Sequence, residues 1–240
     1  MNNQAQDSVG MSGAEKPLQA VFSQIASSMH VPGVNDPLAV STDGTAFESQ
    51  SGERSYAVVD GIPRLFGSEG LTGNSDITEE VKAFYEDVPF PGYAGIETAD
   101  DLREKARTAY FALAASLSIP SSARVLEAGC GTGQLSNFLG LDGERAVIGA
   151  DMCENSLKIA NRFREKNELD NIGFVQMNLF EPFFTPGSFD VVISNGVLQH
   201  TMNPERGFNT ILPLVKRSKI AKIGAFVEIC DIFAICVRIG

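Results

Sequence analysis

Between Val125 and Gln134 the chain reads VLEAGCGTGQ. Gly129, Gly131 and Gly133 follow an apolar run and precede the helical pattern QLSNFLG. Such bare backbone turns tightly and lets a ligand come close. A glycine loop alone is also compatible with an ordinary turn between a strand and a helix, but its neighbours narrow the choice. Position 134 is Gln, where the dinucleotide fingerprint GxGxxG carries Gly or Ala. Glu127, just before the glycines, would repel a pyrophosphate and attract an ammonium or a sulfonium, so it argues for a cationic amino-acid ligand. The next apolar run, AVIGAD, ends in Asp151. An acid there can accept hydrogen bonds from both hydroxyls of a ribose; alternatively it caps the helix ENSLKIA. Asn178 follows the third run, IGFVQM, where its amide can bond an adenine edge between Met152 and Leu179. Met152 taken singly reads as a core residue.

Other reactive side chains are few. Cys130, Cys153, Cys230 and Cys236 form no CxxC pair, and His30 and His200 are the only imidazoles. No structural zinc set emerges, so reduced thiols and no metal are expected. Cys130, inside the glycine loop, reads as a small filler. His200 lies just beyond the fourth apolar run, FDVVISN. An imidazole with an unperturbed pKa of about 6.5 suits a general base; a solvent-facing or cap-bonding ring is the alternative.

These residues need a scaffold. From Ser121 onward, the apolar runs ARVLEAG, AVIGAD, IGFVQMN and FDVVISN alternate with the helical stretches QLSNFLG, ENSLKIANRFREK and PERGFNTILPLV. That order predicts a doubly wound α/β fold with a mostly parallel sheet. Strands covered on both faces read as continuous apolar runs, as these do. Upstream, residues 1–30 are predicted to be a disordered N-terminus and residues 31–70 a small β-rich module. In that module SYAVV and IPRLF flank the hairpin signal Asp60-Gly61. Residues 71–120 read as a linker followed by two helices. One starts near Thr78 (ITEEVKAFYEDV) and ends at the turn PFPGY. The other spans about Ala99 to Leu117, with Leu102, Ala106, Tyr110, Leu113 and Leu117 on one face.

The chain has 240 residues, 43% of them apolar and 20% charged, enough for one large domain or a medium one with a smaller companion. No run of about 18 uncharged apolar residues is present; Ile223 to Ile239 comes nearest and contains Glu228, Asp231 and Arg238. The polar N-terminus has no apolar signal core. A cytoplasmic protein without membrane association is therefore expected. The net charge of −11 disfavours broad nucleic-acid binding. Lys216, Arg217, Lys219 and Lys222 read as a solvated helix end and loop.

Taken together, VLEAGCGTGQLSNFLG, VIGADMCENSLKIA, GFVQMNLF and FDVVISNGVLQHTMNPERGF resemble the class I, Rossmann-like methyltransferases that use S-adenosylmethionine. The resemblance covers about Ser121 to Leu214. It implies that residues 121–240 are an S-adenosylmethionine-binding methyltransferase domain. Glu127, Gly129, Gly131 and Gly133 would then serve the methionine part, Asp151 the ribose, Asn178 the adenine, and Asn195 and Gly196 the transfer site. Asn178 departs from the commoner Asp. VKAFYEDVPFPGY resembles a region that precedes this domain in one bacterial branch. DPLAVSTDGTAFESQSGERSYAVVDGIPRLF is similar to the small Trm112-like zinc-ribbon domain, which often binds zinc through cysteines. With no cysteine before Cys130, the similarity implies a β-scaffold without metal ligands.

The implied reaction is methyl transfer to a small-molecule acceptor, with RNA or protein as other possible acceptors; oligomeric state is not encoded legibly. Domains of this class continue after PERGFNTILPLV with three more strands. Here VKRSKIAKIGAFVEICDIFAICVRIG follows, in which AFVEICDIF is expected to supply a fifth strand. The C-terminus reads as truncated or frame-shifted, which leaves two other readings beside an active enzyme. One is a non-catalytic chain that binds the cofactor; the other is an NAD-binding oxidoreductase, against which Gln134 and Glu127 speak.

Overall fold

The computed structural model describes residues 18–66 and 89–216, together with the backbone of 221–228 and 231–238. The described strands are β1 (Leu38–Val40), β2 (Ala46–Ser49), β3 (Ser55–Val59), β4 (Ile62–Leu65), β5 (Arg124–Ala128), β6 (Ala146–Asp151), β7 (Ile172–Met177), β8 (Val191–Asn195), β9 (Ala221–Glu228) and β10 (Asp231–Arg238). They form one sheet in the order β1-β2-β3-β4-β7-β6-β5-β8-β10-β9. Strands β4, β7, β6, β5 and β8 run parallel, and the flanks are antiparallel. The described helices are α1 (Val21–Ile25), α2 (Ala99–Thr108), α3 (Tyr110–Ser118), α4 (Gln134–Gly140), α5 (Glu154–Lys166) and α6 (Pro204–Ile211).

Alternation along each strand feeds two apolar layers. On β5, Leu126 and Ala128 join Phe22, Ile25, Ile148, Val175, Val192 and Ile211 on one face. Val125 joins Val147, Phe174, Ile193, Ala115, Leu139 and Leu157 on the other. The first layer is covered by α1 and α6, the second by α3, α4 and α5, which is a Rossmann-like α/β architecture. The chain leaves β5 for β6 and β7 on one side, then crosses to β8 on the other. That reversal falls between β5 and β8, at whose C-terminal ends folds of this kind bind ligands.

Upstream of β5 the structure corrects several expectations. Residues 18–30 are not a loose tail: Val21, Phe22 and Ile25 are fully buried. A Cβ on Gly173 of β7 would lie 2.7 Å from Val21 and 2.9 Å from Phe22, so the bare strand backbone lets α1 lie flat on the sheet. The strands of 31–66 do not form a separate module, because Arg64 and Leu65 pair in parallel with Gln176 and Met177. The Asp60-Gly61 hairpin forms as expected, with φ of 52° and 76° and Val59 opposite Ile62. The helix expected near Thr78 lies outside the described residues.

The helix expected over 99–117 is two helices, broken where Ala109 adopts φ −101° and ψ 93°. The halves pack on different surfaces: Leu102 meets Ile96 and Phe163, whereas Ala115 joins the sheet layer. The predicted common face therefore dissolves, and Tyr110 and Leu117 are 87% and 80% exposed. The stretch AFVEICDIF is divided between β9 and β10, a hairpin whose second arm lies antiparallel to β8. A lone fifth strand would leave its outer edge unpaired; the hairpin pairs that edge over eight positions, Ala221–Glu228 with Asp231–Arg238.

Phe22 meets Phe47 edge-on at 5.9 Å between ring centres. Phe22→Ala is expected to cost about 3–5 kcal/mol in denaturant unfolding. A loss under about 1 kcal/mol would show that residues 18–30 lie outside the cooperative core.

Candidate functional site

The loop from Gly129 to Gly133 joins β5 to α4. All three glycines have positive φ, 80°, 52° and 70°. The backbone space they leave is filled by the protein itself. A Cβ on Gly129 would lie 2.4 Å from Val197, which folds over the loop from the end of β8. One on Gly131 would lie 2.3 Å from the carbonyl oxygen of Phe90. At Gly129 and Gly131 the missing side chain thus makes room for Val197 and for the chain at Phe90.

The loop amides are engaged as well. Gly129 N–H and Cys130 N–H donate to Ala150 O at 2.7 and 3.0 Å. Gly131 N–H donates to Asp151 Oδ2 at 2.8 Å. Thr132 N–H donates to Phe90 O at 3.2 Å and Gly133 N–H to Cys130 O at 2.9 Å. An N–H makes one strong bond, whereas oxygens have a second lone pair to offer. In this conformation the loop presents acceptors, not the amide cradle that holds a phosphate.

Glu127 reinforces that polarity. Its side chain, 5% exposed, lies against the start of α4 and accepts from Ser136 Oγ. The positive end of a helix dipole is therefore turned toward a carboxyl group of the chain. Burial pushes this carboxyl up to about 8, and the nearby charge of Asp151 adds to the shift, while the Ser136 hydroxyl and amide oppose it. Asp151 is not the cap of α5, because Cys153 occupies that position and accepts from Ser156 N–H at 3.4 Å. The two Asp151 oxygens instead accept from Gly131 N–H and from Cys153 N–H, the latter at 2.9 Å. Asp151 thereby ties the end of β6 to the glycine loop.

The remaining candidates surround this centre. Met152 is half-buried, and its carbonyl accepts from Gln176 Nε2 at 3.0 Å. Asn178 stands after β7 with Oδ1 accepting from Phe180 N–H at 3.0 Å, in a turn of its own. Leu179 leans on α6, 3.2 Å from where a Cβ on Gly207 would sit. Asn195 and Gly196 close β8 and lead into Val197, so the structure brings them to the glycine loop. His200 is exposed on the short turn Leu198–His200. Sequence reasoning missed Ser136, Val197 and the contacts of residues 90–93. Of these only PFPGY carried a visible signal, that of a turn.

The structure thus brings acids from the ends of two adjacent parallel strands, Glu127 and Asp151, to one glycine loop and the first turn of α4. Residues 119–233 match the family described as "Methyltransferase domain". The chain is 28% identical to an uncharacterised protein of Synechococcus sp. over 158 residues, 64% of this chain and 38% of that protein. It is 40% identical to a demethylmenaquinone methyltransferase of Lactococcus lactis over 81 residues, 32% of this chain and 31% of the relative. It thus spans 31% to 38% of the length of these curated relatives. Among solved structures, phosphoethanolamine N-methyltransferase 2 of Haemonchus contortus, in complex with phosphomonomethylethanolamine and S-adenosylhomocysteine, is similar at 21% identity. That match has a TM-score of 0.43 and covers 51% of this chain and 30% of the other.

A raised carboxyl has a definite pH signature. Folded Glu127 keeps its proton up to about 8, whereas its ordinary value is 4.5. Across that interval the folded state binds more protons than the unfolded state, so stability falls as pH rises. The melting temperature of Glu127→Gln should decline less over this range than that of the wild type. Parallel curves would show that Glu127 ionises freely in the fold.

Proposed function

We propose that this chain catalyses methyl transfer from S-adenosylmethionine to a small-molecule acceptor. The supporting observation is that every amide N–H from Gly129 to Gly133 is bonded within the chain, beside two acids. A pyrophosphate would find no loop amide left to donate to it and the Asp151 carboxylate close by; an ammonium with ribose hydroxyls finds acceptors, and it can draw the proton off Glu127. In this reading Glu127 faces the ammonium side, and Asp151 takes the ribose hydroxyls. Asn178 bonds the adenine between Met152 and Leu179, and Asn195 and Gly196 line the transfer site.

The bound donor supplies a methyl group on a sulfonium, which leaves as a neutral thioether when the acceptor attacks in line. The chain's residues contribute alignment, which can be worth roughly 7–11 kcal/mol. Where the acceptor must lose a proton, His200 beyond β8 would take it in this reading. The acidic balance of the chain weighs against an RNA acceptor. The Lactococcus relative acts on a demethylmenaquinone by name, which accords with a small acceptor. A second reading is cofactor binding without turnover.

Calorimetric titration with S-adenosylhomocysteine and with NAD separates the ligand classes. The nucleoside should bind, and its ammonium should lower the Glu127 carboxyl, so binding at pH 7 releases protons measurable by comparing buffers of different ionisation enthalpy. NAD binding without nucleoside binding would overturn the proposal. Asp151→Asn should weaken the nucleoside about 10- to 100-fold, since hydrogen bonds to a charged group are worth about 1.5–3 kcal/mol each; unchanged affinity would remove Asp151 from the site. Methyl transfer to any acceptor would exclude the second reading.

A further inference from the structure

Residues 90–93 belong to no strand or helix, yet they hold the glycine loop and the start of α4 at four points. Thr132 N–H donates to Phe90 O at 3.2 Å, and Thr132 Oγ1 donates to Pro91 O at 2.5 Å. Gln134 Nε2 donates to Gly92 O at 2.7 Å, and Asn137 Nδ2 to Tyr93 Oη at 3.0 Å. Three successive carbonyls thus face one loop. Tyr93 anchors the end of the segment, its ring 5.1 Å from that of Phe163. Thr132 is 1% exposed, whereas the Phe90 side chain is 68% exposed. The segment is attached through its backbone and Tyr93, without burying its other large apolar group.

The loop has need of such support. It has three positive-φ glycines, and α4 is seven residues long with no side-chain bond at its N-cap, Gly133. Thr132 and Gln134 donate hydrogen bonds to this segment. We propose that residues 90–93 are a positioning clamp for the ligand site, with Thr132 and Gln134 as the positioning residues through which it acts. The clamp sets the loop and the first turn of α4 in the conformation that receives the ligand, and ligand binding tightens the clamp in return. A loop fixed beforehand loses less freedom on binding, and coupling between the two events is reciprocal. The inference rests on the cofactor reading given above.

Titration of the full chain with S-adenosylhomocysteine, paired with ligand-free melting curves, tests it. Thr132→Val keeps the shape and removes the donor to Pro91. It should weaken binding about 3- to 10-fold, the range set by one hydrogen bond, while the ligand-free melting temperature falls by only a few degrees. Thr132→Ser keeps the hydroxyl and should restore affinity. Gln134→Ala, a change at the protein surface, should weaken binding about threefold, and it decides the matter if Thr132→Val does not fold. The chain has no tryptophan, so Phe90→Trp carries a single indole beside the loop, which can be excited apart from the four tyrosines. Its emission should shift on ligand addition. Wild-type affinity in both Thr132→Val and Gln134→Ala, or no emission change in a Phe90→Trp chain that binds, would overturn the clamp alone. Failure of the wild type to bind would overturn the cofactor reading and the clamp with it.

Discussion

The carboxyl group of Glu127 against the start of α4 is the interaction on which the site turns. A helix N-terminus beside a glycine loop is ordinarily a seat for phosphate. Here the preceding strand places its own acid on that seat, with Ser136 donating to it. Asp151 does the same for the loop, accepting from Gly131. Once the chain has consumed its own positive dipoles, what it offers outward is lone pairs. The polarity of the ligand is thus decided within the β5–α4–β6 unit, before any group on the ligand is considered. The arrangement is costly for a buried acid, which is why Glu127 holds its proton so far above the usual carboxylate range.

The parallel part of the fold was legible in sequence because burial on both faces demands uninterrupted apolar runs. Val125, Leu126 and Ala128 go to different layers, yet all must be apolar. The glycine loop and Asp151 were legible because special backbone geometry and an acid at a strand end leave few alternatives. Helix α1 was not, since five residues among polar neighbours show no periodicity. The break at Ala109 was hidden because an alanine gives no warning of leaving the helix. The contacts of Phe90, Pro91 and Gly92 were invisible for a deeper reason: they are made by carbonyl oxygens, which every residue carries. Ser136 could not be paired with Glu127 from spacing, because the two meet only when the loop reverses the chain.

The glycines show that a tight loop can have more than one reason for its bare backbone. They mark the loop, but the atoms filling the spaces at Gly129 and Gly131 belong to Val197 and Phe90. These contacts join three separate parts of the chain: the loop, the end of β8 and the segment before α2. The end of β8 also leads to Asn195, Gly196 and the exposed His200. The methionine side and the acceptor side of the proposed site therefore share a wall.

The parallel seam between β4 and β7 has a consequence for the order in which the chain can mature. Arg64 and Leu65 find their partners at Gln176 and Met177, more than a hundred residues later. During synthesis the early hairpins leave the ribosome with one flank of peptide groups unsatisfied, and they must wait until most of the chain has emerged. Long-range pairing of this kind is slow, and exposed flanks are sticky in the meantime. The nascent chain's vulnerable period thus ends when β7 arrives, and β7 is the strand that carries Asn178 at its tip. Closing the seam and setting Asn178 at the sheet's C-terminal rim are one assembly event.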